Sequence, residues 1–196
     1  MHANRPEFIP GGFYHIYNRG AHRESIFREE DNYLFALRKI KQYVEKLDLT
    51  LIAYCLMPNH YHWLVRQDGE FPVGLLPQRV FNSYSKAYNK RYGHSGTLFE
   101  SPYKALKIDQ DAHLLHLCRY IHANPVKHGL VGRLEEWPYS NYPEWVGLRL
   151  GKLIDRAFTE AHFPTPTSYE DFVSDCLTQR RVIESVEKHL RAWGCE

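Results

Sequence analysis

Apolar and polar positions alternate, then switch period, several times along the chain. In "GGFYHIYNRG" (residues 11–20) aromatic and β-branched residues sit between glycines, which predicts a first strand. Residues 28–49, "REEDNYLFALRKIKQYVEKLDL", place Tyr33, Leu34, Leu37, Ile40, Val44 and Leu47 at helical spacing, with acids in the first turn where the helix dipole favours them. "LTLIAYCLM" (49–57) and "HYHWLVR" (60–66) read as two strands, and the "PN" between them is a turn signal, so an antiparallel hairpin is expected. A second helix is expected in "LPQRVFNSYSKAYNKRYG", closed by Gly93. A fourth strand follows in "LFESPYKALKI", where Pro102 demotes the first half to an edge or bulge. "DQDAHLLHLCRYIHAN" predicts a third helix, with Asp109 or Asp111 as N-cap and Pro125 ending it near Asn124.

Strand, helix, strand, strand, helix, strand, helix is the order of an α+β, ferredoxin-like split βαβ antiparallel sheet, expected to carry its helices on one face. This unit is expected to span residues 1–146, closing with the aromatic wrap "WPYSNYPEW" (137–145). Residues 147–196 form the remainder: a linker containing "FPTPTS", then a C-terminal helical extension. Its helix is expected to start with a capping box at Thr167 or Ser168 and to run to about Trp193.

Composition narrows the classes. A chain of 196 residues with 43% hydrophobic and 24% charged residues is ordinary for a folded domain, which argues against a disordered chain. A net charge of +2 does not mark a nucleic-acid binder, so any basic surface has to be a local patch. Cys55, Cys118, Cys176 and Cys195 are scattered without a Cys-x-x-Cys pair, unlike a zinc ribbon or a disulfide scaffold. The start of the chain has no apolar signal core, and the longest apolar run, Leu49 to Met57, is too short to span a bilayer. A cytoplasmic protein with reduced thiols and no membrane partner is the expectation.

The chemistry concentrates in "LMPNHYHWLV" (56–65). Residues two apart on a strand share a face, so His60 and His62 stand side by side while Tyr61, Trp63 and Val65 point the other way. With helices on one face only, the imidazoles would emerge on the uncovered one. Two neighbouring neutral imidazoles suit a metal, although the same spacing also fits two ordinary surface histidines. On the third helix His113, His116, Tyr120 and Asn124 fall on one stripe, opposite Leu114, Cys118 and Ile121; this is either a solvated helix face or a source of further ligands. His122 lies about 200° around that helix from Tyr120. On the second helix Arg79, Lys86 and Lys90 line up beside Tyr84, Tyr88 and Tyr92. The tyrosines are either core or a stacking platform next to phosphate-tracking cations. Arg19 and Arg23 after the first strand, and Lys104 and Lys107 on the fourth, are further candidates for DNA contacts.

"MPNHYHWLV", followed by "CRYIHANPVKHGLV", resembles the HUH single-tyrosine transposases of the insertion-sequence-200 type, and most closely the REP-associated tyrosine transposases. "YHIYNRGAHRESIF" and "GTLFESPYKALKI" are similar to the same family, so the resemblance covers roughly residues 8–146. It implies that His60 and His62 bind a divalent cation, Mg²⁺ or Mn²⁺, with Asn124 as the completing ligand. It implies that Tyr120 attacks a phosphodiester of single-stranded DNA near a hairpin, keeps the 5′ end and later rejoins strands, in a monomer or a homodimer. A non-catalytic hairpin-binding regulator on the same scaffold is the alternative, and a metal hydrolase using water is a third reading.

Overall fold

The computed structural model describes residues 6–178. Four strands, β1 (Phe13–Arg19), β2 (Leu49–Met57), β3 (His60–Gln67) and β4 (Lys104–Ile108), form one sheet in the order β2-β3-β1-β4. Every neighbouring pair is antiparallel, the split βαβ arrangement expected from the order of elements. The helices are α1 (Glu30–Lys46), α2 (Leu75–Tyr92), α3 (Asp111–Lys127), the single turn α4 (Tyr142–Trp145), α5 (Arg156–His162) and α6 (Pro166–Thr178).

The strand residues alternate between two cores. Tyr14, Ile16, Tyr61, Trp63 and Val65 pack with Ala36 and Ile40 of α1 and with Val80, Phe81 and Tyr84 of α2. Burying aromatic side chains of this size is the largest apolar contribution the sheet can make, about 1.5–3 kcal/mol for each large side chain taken out of water. The opposite face is not open. Leu64, Ile52, Cys55 and Met57 pack there against Leu117, Cys118, Tyr120 and Ile121 of α3, which corrects the expectation of helices on one face only. The reason lies in α3 itself, where Leu114, Leu117, Cys118 and Ile121 are all buried and need a partner surface.

A bulge on β2 between Leu51 and Ala53 resets which of its residues face each core. It shifts the alternation, so Leu51 before it and Tyr54 after it face the same side. The carbonyl of Ile52 at the bulge accepts from Asn141 Nδ2 at 2.9 Å and Trp145 Nε1 at 3.2 Å. The aromatic wrap thereby covers this edge of the sheet: Leu56 N–H donates to the Tyr139 carbonyl and Trp137 Nε1 donates to that of Leu56.

Two helix ends differ from expectation. Pro125 lies inside α3 rather than ending it, and the helix runs on to Lys127. A proline in the last turn forfeits one hydrogen bond to a carbonyl four residues back, a small loss beside the burial that residues 117–125 gain. Neither aspartate caps α3; its N-cap is Gln110, without a side-chain cap bond. α6 begins two residues earlier than the capping pattern suggested, with Thr165 and Ser168 bonding each other's backbone N–H and Pro166 at the first helical position. The expected run of that helix to Trp193, with Val182, Ile183, Val186 and Leu190, falls outside the described residues. Gly93 closes α2 in the left-handed region, φ 59°, as expected of a glycine after a helix.

The extension beyond residue 147 does not stand apart from the sheet unit. Phe158, Tyr169 and Val173 join the α3 core. His122 bridges the two: its Nδ1 lies 2.6 Å from Tyr169 Oη and its Nε2 lies 2.9 Å from Asn141 Oδ1. Asn141 Oδ1 also accepts from the Tyr54 N–H, so His122 donates through Nε2 and accepts the tyrosine hydroxyl proton through Nδ1. Burial holds this imidazole neutral, its pKa lowered to about 4.

Candidate active site

β3 carries His60 and His62 onto the face that α3 covers. Both rings are enclosed: His62 is 1% exposed, and the Nε2 atoms of both histidines are buried without a hydrogen-bond partner. The two ring centroids are 5.1 Å apart. An orphaned imidazole nitrogen in a dry site is costly unless something else binds it. Here two such nitrogens share one site.

The other nitrogen of each ring is engaged. His60 Nδ1 lies 2.6 Å from Asn59 Oδ1. The Asn59 amide is itself oriented, because its Nδ2 donates to the Arg23 carbonyl at 3.2 Å. His60 therefore carries its proton on Nδ1 and presents a bare Nε2. His62 Nδ1 lies 3.0 Å from Nε2 of His15, a buried residue of β1 whose ring stacks on that of His62 at 5.2 Å between centroids. β1 pairs with β3 in a register that sets Tyr17 opposite His62 and Arg19 opposite His60. His15, Tyr17, His60 and His62 therefore share one face.

Electrostatics keeps the histidines neutral. Burial, then the neighbouring His60, His15 and His128 rings, hold His62 well below the usual imidazole range. His60 is lowered to about 4, first by burial and then by His128, while the Asn124 side chain acts in the other direction. His15 is lowered to about 3 by burial alone. Neutral imidazoles are the state in which a metal can be bound.

α3 closes the site from above. The Tyr120 ring meets His62 edge to face at 5.5 Å and is itself 6% exposed. Asn124, one turn further, is 1% exposed; its Nδ2 donates to the Tyr120 carbonyl at 2.8 Å, and its side chain also hydrogen-bonds with His60. Lys127 Nζ stands over the Tyr120 ring at 5.3 Å. Of the third helix's other stripe residues, His116 packs against Phe172 of α6 at 5.5 Å between ring centroids, away from the pair. Among the described residues no third histidine, cysteine, aspartate or glutamate joins His60 and His62 in a metal-sized cluster. Any third protein ligand has to be of another kind, and the Asn124 amide oxygen fits that description.

The candidate DNA contacts divide between the two faces. Arg19 ion-pairs with Glu100 at 3.1 Å and acts electrostatically on His60. Arg23 ends a short 3-10 turn (Ala21–Arg23) with left-handed backbone, φ 61°, and fixes Asn59 through its carbonyl. Lys104 pairs with Tyr17 across the sheet and stands over its ring at 5.8 Å. These three surround the histidine face. Lys107 pairs with Tyr14, which faces the other core, and forms an ion pair with Asp109 at 2.9 Å. Arg79, Lys86 and Lys90 are exposed on α2, beyond the far face of the sheet. Tyr84 and Tyr88 are core residues whose hydroxyls donate to the carbonyls of Ile26 and Ser25, so neither is available as a stacking platform.

Sequence reasoning missed His15, Asn59 and Lys127. His15 is visible as the second residue of "YHIYNRG", but its place beside His62 depends on the strand pairing. Asn59 read only as a turn residue, and Lys127 lay beyond the expected end of α3.

Comparison with known proteins follows the same outline. A REP-associated tyrosine transposase of Haemophilus influenzae is 28% identical over 113 residues, which are 52% of this chain and 64% of the relative. The match thus spans less than two thirds of that relative's length. A solved structure of a REP-associated tyrosine transposase bound to a REP hairpin has the same fold, with a TM-score of 0.64 and 20% identity over 79% of this chain and 94% of that one. Among the described residues no helix is long and apolar enough to cross a membrane. A family model described as "Transposase IS200 like" matches residues 11–124, more than half of the chain and the whole span from β1 to Asn124, and the chain belongs to that transposase family.

Proposed function

We propose that the protein is a metal-dependent single-stranded DNA endonuclease and strand transferase that cuts beside a DNA hairpin through a 5′-phosphotyrosine intermediate. The observation that carries this reading is the packing of Tyr120 against His62, beside His60, where the Nε2 atoms of both buried imidazoles lack a partner. A regulator that only bound hairpins would gain nothing from that costly arrangement.

The residues divide the work. Tyr120 is the nucleophile: its oxygen bonds to phosphorus, the bond from phosphorus to the 3′ oxygen breaks, and the phenol proton ends on the released 3′-hydroxyl. At neutral pH only about one free phenol in a thousand is ionised, so the site has to assist. Lys127 holds positive charge against the ring where negative charge develops. His60, His62 and Asn124 would hold Mg²⁺ or Mn²⁺, which when bound supplies Lewis-acid polarisation of the scissile phosphate. All three ligands are uncharged, so the DNA phosphate itself supplies the negative charge a hard cation prefers. Cation affinity should therefore rise when DNA is present. Arg19, Arg23 and Lys104 line the approach to this face and contact the strand. The phosphotyrosine ester conserves the bond for rejoining.

The test is a denaturing gel of the protein incubated with Mn²⁺ and labelled single-stranded hairpin DNA from the gene's own borders. A protease-sensitive, slow-migrating label is expected, absent in Tyr120→Phe while that variant still binds the DNA. Normal cleavage by Tyr120→Phe would overturn the assignment and favour water as nucleophile.

A further inference from the structure

His62 can bind a cation through Nε2 only if its single proton resides on Nδ1, and its own strand does nothing to ensure that. The neighbouring strand does. His15 Nε2 lies 3.0 Å from His62 Nδ1, and one proton must occupy that contact. If His15 gives it, His62 carries its proton on Nε2 and cannot be a ligand. If His15 accepts it, Nε2 of His62 is bare, as Nε2 of His60 already is by virtue of Asn59.

The surroundings hold His15 in place for this task. Its ring stacks on Tyr17 at 4.8 Å and on His62 at 5.2 Å between centroids. It is 1% exposed, so water cannot replace it as the acceptor. Its position on β1 is locked by pairing on both sides, with Leu64 of β3 and Leu106 of β4. A purely structural residue at this point would be better served by an apolar ring, which would fill the same space without a polar nitrogen to desolvate.

We infer that His15 is a positioning residue: it accepts the Nδ1 proton of His62 and so keeps Nε2 of His62 available to the cation. The inference rests on the metal-site reading given above. Acceptors behind metal-bound imidazoles fix ring orientation and tautomer, and their loss lowers metal affinity by about 10- to 100-fold.

Mn²⁺ binding by calorimetry, on the intact chain and on three variants, separates this inference from the reading beneath it. His15→Phe keeps the ring and its stacking but removes the acceptor, and should weaken Mn²⁺ binding about 10- to 100-fold. His15→Gln offers an amide oxygen at similar reach and should restore most of the affinity. His62→Ala should abolish binding. Nitrogen-15 spectra of the imidazoles supply a signature that mere packing would not move. His62 should show a protonated Nδ1 in the parent chain and a mixture of tautomers in His15→Phe. Parent-like Mn²⁺ affinity in His15→Phe, with binding still lost in His62→Ala, would overturn the role of His15 alone, whereas a protonated Nε2 on His62 in the parent would overturn both that role and His62 as a ligand. No Mn²⁺ binding by the parent chain, alone or with hairpin DNA present, would overturn the metal site itself, and this proposal with it.

Discussion

The two faces of the sheet are built from alternate residues of the same strands, yet they solve different problems. Toward α1 and α2, β3 sends Tyr61, Trp63 and Val65 into a core of stacked rings; Trp63 and Phe81 lie nearly parallel at 5.4 Å. Toward α3 it sends His60, His62 and Leu64. Both faces bury polar atoms without partners, but of different kinds. On the first they are Tyr61 Oη and Trp63 Nε1, groups that each bring a hydrogen of their own. On the second they include the Nε2 atoms of His60 and His62, which Asn59 and His15 can leave as lone pairs. An unpartnered donor on an apolar face is a tolerated cost, whereas a pair of unpartnered acceptors at one place is what the proposed cation site would need.

The sharpest way to break this comparison is to delete each side. His60→Ala with His62→Ala should eliminate Mn²⁺ binding and DNA cleavage together, while changing stability by less than about 2 kcal/mol, because relief of two unsatisfied buried atoms offsets part of the lost packing. Trp63→Ala, one residue away on the other face, should cost about 3–5 kcal/mol in urea unfolding. If the histidine variant were as unstable as the tryptophan variant, the two faces would not differ in the way described.

Acid provides a smaller perturbation that selects the α3 face. His122, lowered to about 4, and His15, lowered to about 3, both take up a proton more readily when unfolded, where an imidazole titrates near 6.5. Their neutral forms therefore contribute stability that is fully present above about pH 6.5 and is lost as pH falls toward the folded values. Melting temperature should drop between pH 7.5 and pH 5, and His122→Gln should flatten that slope. A pH-independent melting temperature over this range would contradict the burial of neutral histidines. Smallest of all, Lys86→Ala with Lys90→Ala on α2 should leave cleavage within about two-fold, since these exposed lysines sit behind the far face. A large loss in that variant would place DNA on both sides of the sheet.

Much of this division was legible in the chain. The period-2 pattern of "HYHWLVR" separates the two faces, and the helical spacing of α1 and α2 identifies the apolar partners of one. The coverage of the other face was harder to read, because "DAHLLHLCRYIHANPVK" mixes histidines among its leucines and its buried stripe only makes sense once a second apolar surface exists. Strand pairing was the larger gap. Nothing local in "YHIYNRG" puts His15 behind His62; that follows from β1 inserting between β3 and β4, a long-range fact. Proline was over-read for a similar reason: Pro125 disfavours the helix locally, and tertiary burial of Ile121 to Asn124 outweighs it.

The central claim is that Tyr120 forms the covalent bond to DNA, and the most direct test is to locate that bond. Adduct formed with Mn²⁺ and hairpin DNA would be digested with nuclease and trypsin and its peptides sequenced by mass spectrometry. Cleavage after Arg119 and Lys127 releases "YIHANPVK", the segment from Tyr120 to Lys127. That peptide carrying a nucleotide phosphate on its tyrosine is the result the account predicts. A phosphate on any other tyrosine, or cut DNA with every tyrosine peptide unmodified, would contradict it.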